Sequence, residues 1–437
     1  MAYNALNIAQ LPFKLIRSED IRNGKLKDYK MLFVPGGWAS NKLKSLGEDG
    51  VNEIKNFVEN GGSYLGFCGG AGLATLDGIG LLNIKRKPTK ERLPSFSGRI
   101  HLNITEHRIW KGLIKGPGVR FKIQDSKFKI QDSRFTSSLV TRHSSLIFHA
   151  WWPSQFVIAD NGIQILASYG DALPDSFSSD LNVGDVEANG SWDELEGIYK
   201  INLNPKRLLN EPAVVEGRYG KGKVILSLVH FDTPEDANGQ EVLKNLWGYL
   251  LKSEVRNEKS EVPNSKLQTP DAKLTSDILA LCSDLISLGE RNFLWYWRNP
   301  MLIQWRRGVR GLEYCTLYVM VREIVQKCRS AEVQKKPHLV PPLAKGRIGG
   351  VAAEPPFNLN EIMELLTPFT DKAKRLLILE RHAMQKGHIT YEKCDDSDIQ
   401  ALRKELFSDS KSHGGMFKEL IDEIDDLLFL LLTQGRV

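Results

Sequence analysis

Residues 66–70, with the sequence Gly-Phe-Cys-Gly-Gly, constrain the fold of this chain more than any other segment. They place Cys68 at a glycine-flanked turn directly behind the strand-like run 63–67. A sharp turn from a strand into a helix has room only for small neighbours, which Gly66 and Gly70 provide. The thiol would lie at a helix N-terminus, where unpaired N–H groups and the helix dipole favour the thiolate. The segment predicts a nucleophile elbow, and a glycine-rich connection with a small apolar cysteine is the alternative.

Two other segments carry groups that a cysteine nucleophile requires. The apolar run 30–34 ends in a Pro-Gly-Gly-Trp turn, whose bare backbone N–H groups suit an oxyanion. The apolar run 224–229 is followed by His230, and Asp232 lies two residues farther on. In cysteine-based acyl transfer the base accepts the thiol proton and the acid orients the imidazole. The pattern predicts these roles for Cys68, His230 and Asp232, whereas a histidine with a structural hydrogen bond remains the alternative for His230.

Three ordered motifs resemble a known family. Residues 34–37, 61–71 and 217–224 resemble the class I glutamine-amidotransferase-like superfamily, and in particular its branch called the biotin-protein ligase N-terminal domain. The resemblance spans residues 1 to about 250 and implies a doubly wound, mostly parallel α/β sheet of the flavodoxin-like kind. The roles that it implies are nucleophile for Cys68, base for His230, orienting acid for Asp232 and oxyanion donors for the N–H groups of Gly37 and Gly69.

The chain departs from this family in two places. Glutaminases of the family carry a glutamine four residues after the cysteine, and here that position is Gly72. This residue predicts against glutamine hydrolysis. The family also begins with a strand, whereas residues 2–11 have the pattern of a helix and only residues 13–17 look strand-like before the run 31–34. The first strand is therefore predicted to be missing.

The candidate pocket is predicted from residues close to these motifs. Trp38 follows the Pro-Gly-Gly turn, and Trp151 and Trp152 lie in an aromatic segment that lines the cleft in the family. Tryptophans that fill the core beneath the sheet are the alternative. Glu235 is a second candidate for the acid, because Asp232 is chosen only by its spacing from His230.

The pattern of strands and helices predicts two domains. Residues 1–250 alternate strands and helices, which indicates an α/β domain with its site at the carboxyl ends of parallel strands. A tandem of two similar heptads at 121–134 predicts an exposed insertion at about 119–140. A polar linker is predicted at 251–273, followed by a smaller all-α domain at 274–437 with a loop at about 331–358.

The second domain interleaves tryptophans and arginines at 293–300 and 305–310. Arginines on phosphates and rings on bases would make a nucleic-acid surface. Arginine stems that lie over buried tryptophans are the alternative, and they are favoured because no extended basic stripe accompanies them. We therefore predict no nucleic-acid partner and leave the protein partner of this domain open.

Composition limits the class of protein. The 437 residues are 41% hydrophobic and 26% charged, as in ordinary globular proteins, and the net charge of +6 is dilute. The five cysteines have no close paired spacing, which predicts neither disulfides nor a metal site, and no cofactor is expected. No signal peptide or membrane span is apparent, so a cytoplasmic protein without membrane contact is predicted.

The sequence therefore predicts one of two functions. The first is a cysteine-dependent hydrolase or amidase that acts on a small amide or acyl substrate through Cys68, His230 and Asp232. The second is an amidotransferase-like module that binds or scaffolds without turnover, which Gly72 and the missing first strand favour. Nothing in the second half of the chain predicts a biotin ligase catalytic domain.

Overall fold

The computed structural model describes residues 1–113, 145–251, 271–334, 359–387, 390, 394–409 and 413–433. The chain divides into two compact units, residues 1–257 and residues 258–437. Three predicted segments lie mainly outside the described residues: the insertion at 119–140, the linker at 251–273 and the loop at 331–358. Within the described residues, no helix is both long and apolar enough to cross a membrane.

The first unit is an α/β structure. Its helices are α1 (Ala2–Ile8), α2 (Ser18–Arg22), α3 (Ala39–Glu59), α4 (Gly69–Leu73), α5 (Val183–Asn189), α6 (Trp192–Tyr199) and α7 (Ala237–Leu251). Its strands are β1 (Met31–Val34), β2 (Ser63–Phe67), β3 (Ile84–Arg86), β4 (Phe96–Ile104), β5 (Ser145–Trp151), β6 (Phe156–Ile158), β7 (Gln164–Ala172), β8 (Phe177–Ser178), β9 (Leu181–Asn182), β10 (Pro212–Tyr219) and β11 (Gly222–Ser227).

Within the described residues, the main sheet has nine strands in the order β1-β2-β11-β10-β7-β4-β8-β9, and β5 pairs with β4. The pairs β1–β2 and β2–β11 are parallel, whereas β11–β10 and the pairs beyond it are antiparallel. The α/β class is confirmed, but the sheet is mixed, and the predicted parallel arrangement holds for the three strands next to the elbow. The reason is local: only residues 220 and 221 join β10 to β11, too short a link for the crossover of a parallel pair.

The parallel strands lie in the centre of the core. Every residue of β2 is buried, and Tyr64, Leu65 and Phe67 are fully shielded from solvent. Trp247 of α7 packs edge-on against Phe33 of β1, with ring centroids 5.6 Å apart. A continuous apolar run is what a strand covered on both faces requires, and it holds the residue after β2 in a fixed position.

The predicted strand at residues 13–17 is wrong, and residues 1–30, all of them described, contain no strand before β1. The Arg17 N–H donates to Asp20 Oδ2 at 2.9 Å, so this residue caps α2 and does not pair with a strand. Pro12 lacks an N–H, and its carbonyl accepts from Trp247 Nε1 at 3.1 Å. The segment therefore lies against the core through side chains, and β1 is at the end of the strand order.

The second unit is mainly helical. Its helices are α8 (Ala272–Arg291), α9 (Gly311–Gln334), α10 (Leu359–Lys386), α11 (Ser397–Phe407) and α12 (Gly415–Thr433). The prediction of an all-α domain is wrong in one place, because β12 (Trp295–Asn299) and β13 (Leu302–Trp305) form an antiparallel hairpin. Alternating tryptophans and a turn at Pro300 favour a hairpin over a helix here. The indole of Trp295 is buried and donates to Ile286 O at 2.9 Å, as the packing interpretation predicts.

A buried ion pair crosses the core of this unit. Arg403 Nε lies 2.8 Å from Glu380 Oε1, and the two side chains are only 2% and 1% exposed. The Arg403 guanidinium also donates to the carbonyl oxygens of Gly308 and Thr390, at 2.8 and 2.9 Å. It therefore ties α10 and α11 to the segment that precedes α9.

Candidate active site

Cys68 lies between β2 and α4 in a conformation that few non-glycine residues adopt, with φ 48° and ψ −105°. Tight packing around the turn holds it there. A Cβ added to Gly69 would overlap the carbonyl oxygen of Gly37, and one added to Gly70 would overlap that of Val34. Strain of this kind persists only where the surrounding structure imposes it, and it is common at functional sites.

Gly66, on the strand side of the turn, is also required by packing. A Cβ there would lie 2.7 Å from the carbonyl carbon and oxygen of Gly70, inside the first turn of α4. The Gly70 carbonyl in turn accepts from the Tyr64 hydroxyl at 2.7 Å. The glycine spacing of the motif therefore reflects direct backbone contact between β2 and α4.

The base and the acid come from the segment after β11. This strand pairs in parallel with β2, and the Cys68 N–H donates to Ser227 O at 2.8 Å. His230 and Asp232 follow, both buried, with His230 Nδ1 2.9 Å from Asp232 Oδ1. Adjacent parallel strands thus bring the cysteine and the histidine–aspartate pair to the same edge of the sheet, as the sequence predicts.

Gly36, which the sequence does not single out, makes the closest contact with this pair. A Cβ at Gly36 would lie 2.8 Å from His230 Cε1 and 3.6 Å from Cys68 Cβ, so the Pro-Gly-Gly turn packs on both residues. The Cys68 thiol donates to Trp151 O over 3.8 Å. His230 Nε2 is buried and makes no hydrogen bond of normal geometry to any described residue.

The charges of the pair are set by their mutual contact. Burial lowers the pKa of His230, but Asp232 and the nearby Cys68 outweigh burial and raise that pKa to about 10. Burial raises the pKa of Asp232, but the imidazolium of His230 outweighs burial, so the pKa of this carboxyl is lowered. The favoured state at neutral pH is therefore an imidazolium next to a carboxylate, and an imidazolium favours the thiolate form of a nearby cysteine.

The two predicted oxyanion donors are adjacent. Gly37 has φ 106°, and its carbonyl packs against the Cα of Gly69. Within the described residues, the N–H groups of Gly37 and Gly69 donate no hydrogen bond to another residue. Their role toward an oxyanion remains a prediction.

The other pocket candidates take different positions. Trp38 is 40% exposed beside the Pro-Gly-Gly turn. Trp151 is buried, and its indole donates to Thr233 Oγ1 at 3.0 Å, while the ring of the half-buried Trp152 lies 6.4 Å away. Glu235 is exposed, at φ 67°, and of the two candidate acids it is Asp232 that hydrogen bonds to His230.

A second histidine–aspartate pair lies beside the first. His149 Nδ1 is 2.8 Å from Asp236 Oδ2, and the His149 ring stacks on Trp151 with centroids 5.4 Å apart. The His149 carbonyl accepts the backbone N–H of His230 at 2.8 Å, so β5 supports the loop of the candidate base. Residues two apart on a strand share a face, which is the sequence signal for the stacking with Trp151.

The folded first unit should lose stability as the pH rises. An unfolded histidine has a pKa near 6.5, so the stability that His230 contributes is complete below about pH 6.5 and is lost as the pH approaches about 10. Thermal unfolding from pH 6 to pH 10 should show a larger decline for the natural chain than for His230→Gln. Equal declines would contradict the pairing. Asp232, with its lowered pKa, acts at the other end, because its contribution is lost as the pH falls below about 4.

Comparison with known proteins gives one match to a family. Residues 22–77 match the family model described as biotin-protein ligase, N terminal. No curated protein matches the chain. The similar solved structures include a protein from Thermoplasma acidophilum that is described as part of a GMP synthase; it is 12% identical and covers 57% of this chain and 86% of that one, with a TM-score of 0.34. A glutamine amidotransferase is 19% identical, with 57% of this chain and 92% of that one covered and a TM-score of 0.32.

The family match falls on the segment that carries β1, β2 and the cysteine elbow. The resemblance that the sequence motifs predict is therefore confirmed over this segment, and residues 22–77 of the chain are similar to the N-terminal region of biotin-protein ligases.

Proposed function

We propose that the protein is a thiol-dependent amidase or hydrolase that acts on a small amide or acyl substrate. The observation that carries the proposal is the buried His230–Asp232 pair, 2.9 Å between Nδ1 and Oδ1, beside a cysteine held in a strained elbow. Cys68 is the nucleophile, His230 the general base and acid, and Asp232 the group that orients the imidazole.

The raised pKa of His230 favours a resting state in which the thiol proton is already on Nε2. The sulfur attacks the carbonyl carbon and forms a C–S bond, and the substrate oxygen takes the negative charge. His230 then protonates the leaving nitrogen or oxygen as its bond to carbon breaks. A water molecule, deprotonated by the neutral His230, hydrolyses the thioester and releases the acid with the thiol restored.

The negative oxygen of the tetrahedral intermediate needs donors that do not move. The N–H groups of Gly37 and Gly69, with no partner among the described residues, are suited to this role. The substrate would therefore enter between the Pro-Gly-Gly turn and the N-terminus of α4, a region that the exposed indole of Trp38 borders.

A binding or scaffolding module without turnover is the second candidate. Gly72 favours it, because the glutamine that resembling glutaminases use to hold their substrate is missing. This glycine argues against glutamine as the substrate and leaves the nucleophile, base and acid intact. The state of the cysteine therefore separates the two candidates.

Alkylation of Cys68 tests the proposal. Cys282, Cys315 and Cys328 are buried, so a Cys394→Ser background leaves Cys68 as the described cysteine that is accessible to iodoacetamide. We expect Cys68 to react at pH 6 at least about tenfold faster than a free thiol, which titrates near 8.5. His230→Ala should remove this advantage, because it removes the imidazolium. Mass spectrometry of the peptide that contains Cys68 measures the rate.

Glu235→Ala is the matched control, because this carboxylate is exposed and lies outside the pair. It should leave the rate at pH 6 unchanged. If Cys68 reacts as an ordinary thiol and His230→Ala does not alter its rate, the catalytic proposal is overturned and the binding module is supported.

A further inference from the structure

A lysine side chain lies beside the candidate active site. A Cβ added to Gly37 would lie 3.6 Å from the ammonium nitrogen of Lys42, so this side chain packs over the Pro-Gly-Gly turn. Within the described residues, the ammonium of Lys42 pairs with no carboxylate, although the side chain is half-buried. Burial lowers the pKa of Lys42, and its attraction to Cys68 opposes that shift. A partly buried cation without a partner is unfavourable unless it meets an anion.

A second cation occupies the space that the glycine at the family's glutamine position leaves open. A Cβ on Gly72 would lie 3.2 Å from Arg86 Nη1 and 3.7 Å from the Cβ of Ala39. Ala39 and Lys42 are three residues apart in the first turn of α3 and therefore share a face of that helix. Arg86 and Lys42 thus approach the same corner of the elbow, where α3 meets α4.

The negative charge near these cations is already engaged. Asp77 lies 3.6 Å from Arg86 Nε, Asp232 binds His230 and Asp236 binds His149. A further arginine, Arg92, is close enough to Arg86 to lower its own pKa in addition to the larger effect of burial. The Arg92 guanidinium donates to the hydroxyls of Ser154 and Thr89.

We propose that Lys42 and Arg86 form an anion-binding subsite beside Cys68, and that the substrate is a net negatively charged acid amide or ester with a carboxylate close to the scissile bond. The choice of substrate class rests on the proposed function, whereas anion binding does not. Guanidinium and ammonium groups bind carboxylates directly, and with the nearby carboxylates of the described residues engaged, an α-ammonium group has no obvious partner at the site. A zwitterion such as glutamine therefore fits less well than a dicarboxylic acid monoamide.

The test compares two alkylating reagents of similar size in the Cys394→Ser background, anionic iodoacetate and neutral iodoacetamide. The ratio of their rates at Cys68 reports the local potential whether or not the protein turns over a substrate. Lys42→Gln should lower the ratio at least about tenfold and leave the iodoacetamide rate nearly unchanged, since clefts lined by one sign of charge raise the encounter rates of opposite ions by this order. Arg86→Gln should act in the same direction, and Lys42→Arg should restore the ratio.

Lys44→Gln is the matched control, because Lys44 is exposed on the same helix and carries the same charge. It should change the ratio little. Equal effects of Lys42→Gln and Lys44→Gln would overturn the subsite. In addition, glutarate should protect Cys68 from iodoacetamide at concentrations at least about tenfold lower than glutamine does. Equal protection by the two would contradict a net negative substrate. Slow iodoacetamide reaction with a charge-sensitive ratio would reject the proposed function and keep the anion subsite.

Discussion

Gly70→Ala should destabilise the first unit by roughly 3 kcal/mol or more, the cost of a severe overpacking defect. Gly70 is in helix α4, where alanine is normally preferred over glycine, so the expected loss comes only from the overlap between the new methyl group and the carbonyl oxygen of Val34. To make room, the end of β1 or the start of α4 must move, and either movement displaces Cys68. Urea unfolding of the full chain measures the change.

The control for this substitution is Gly197→Ala in α6. An added Cβ there meets no atom within 4 Å, so the variant should be neutral or up to about 1 kcal/mol more stable. A Gly70→Ala protein as stable as Gly197→Ala, with an unchanged rate of Cys68 alkylation, would show that the elbow does not need its glycines.

Arg403→Leu should destabilise the second unit by about 3–5 kcal/mol, as expected when a buried ion pair loses one partner. The substitution leaves Glu380 buried without its cation and removes the donors for two carbonyl groups. Burial raises the pKa of Glu380 to about 7 against the opposing effect of Arg403. Without the arginine the carboxyl is held neutral to a higher pH, so the loss should be greater at pH 8.5 than at pH 6.

Two variants separate the buried pair from charge in general. Arg291→Leu breaks an exposed pair with Asp284, at 3.8 Å, and should change stability by less than about 1 kcal/mol. Glu380→Leu combined with Arg403→Leu should recover part of the loss, because an apolar pair needs no counter-charge. A double variant no more stable than Arg403→Leu would place the whole effect in the carbonyl contacts.

The residues of the elbow were predictable because their signals are local. Glycines around Cys68 and an apolar run before it fix a strand, a turn and a helix within eleven residues, 63–73. The relation of His230 to Asp232 was also local, since two residues separate them. Gly36 and Lys42 were not predictable as neighbours of Cys68, because their positions depend on how α3 packs on α4, a tertiary contact without a sequence pattern.

The errors in the fold have a similar origin. Residues 13–17 have the composition of a strand, but a capping hydrogen bond and Pro12 direct the backbone elsewhere. The hairpin of β12 and β13 was assigned to a helical domain because short aromatic segments have no distinct period. The antiparallel part of the sheet depends on the link between β10 and β11, whose two residues were noted as a motif and not as a turn.

The pairing of β2 with β11 also has a consequence for folding. The cysteine and its histidine are roughly 160 residues apart in the chain, so the site is a contact of high sequence separation, and such contacts form slowly. A chain emerging from the ribosome presents the cysteine long before its partner strand exists. Over that interval the sulfur is an ordinary thiol, and its reactivity develops only when the last third of the α/β unit docks.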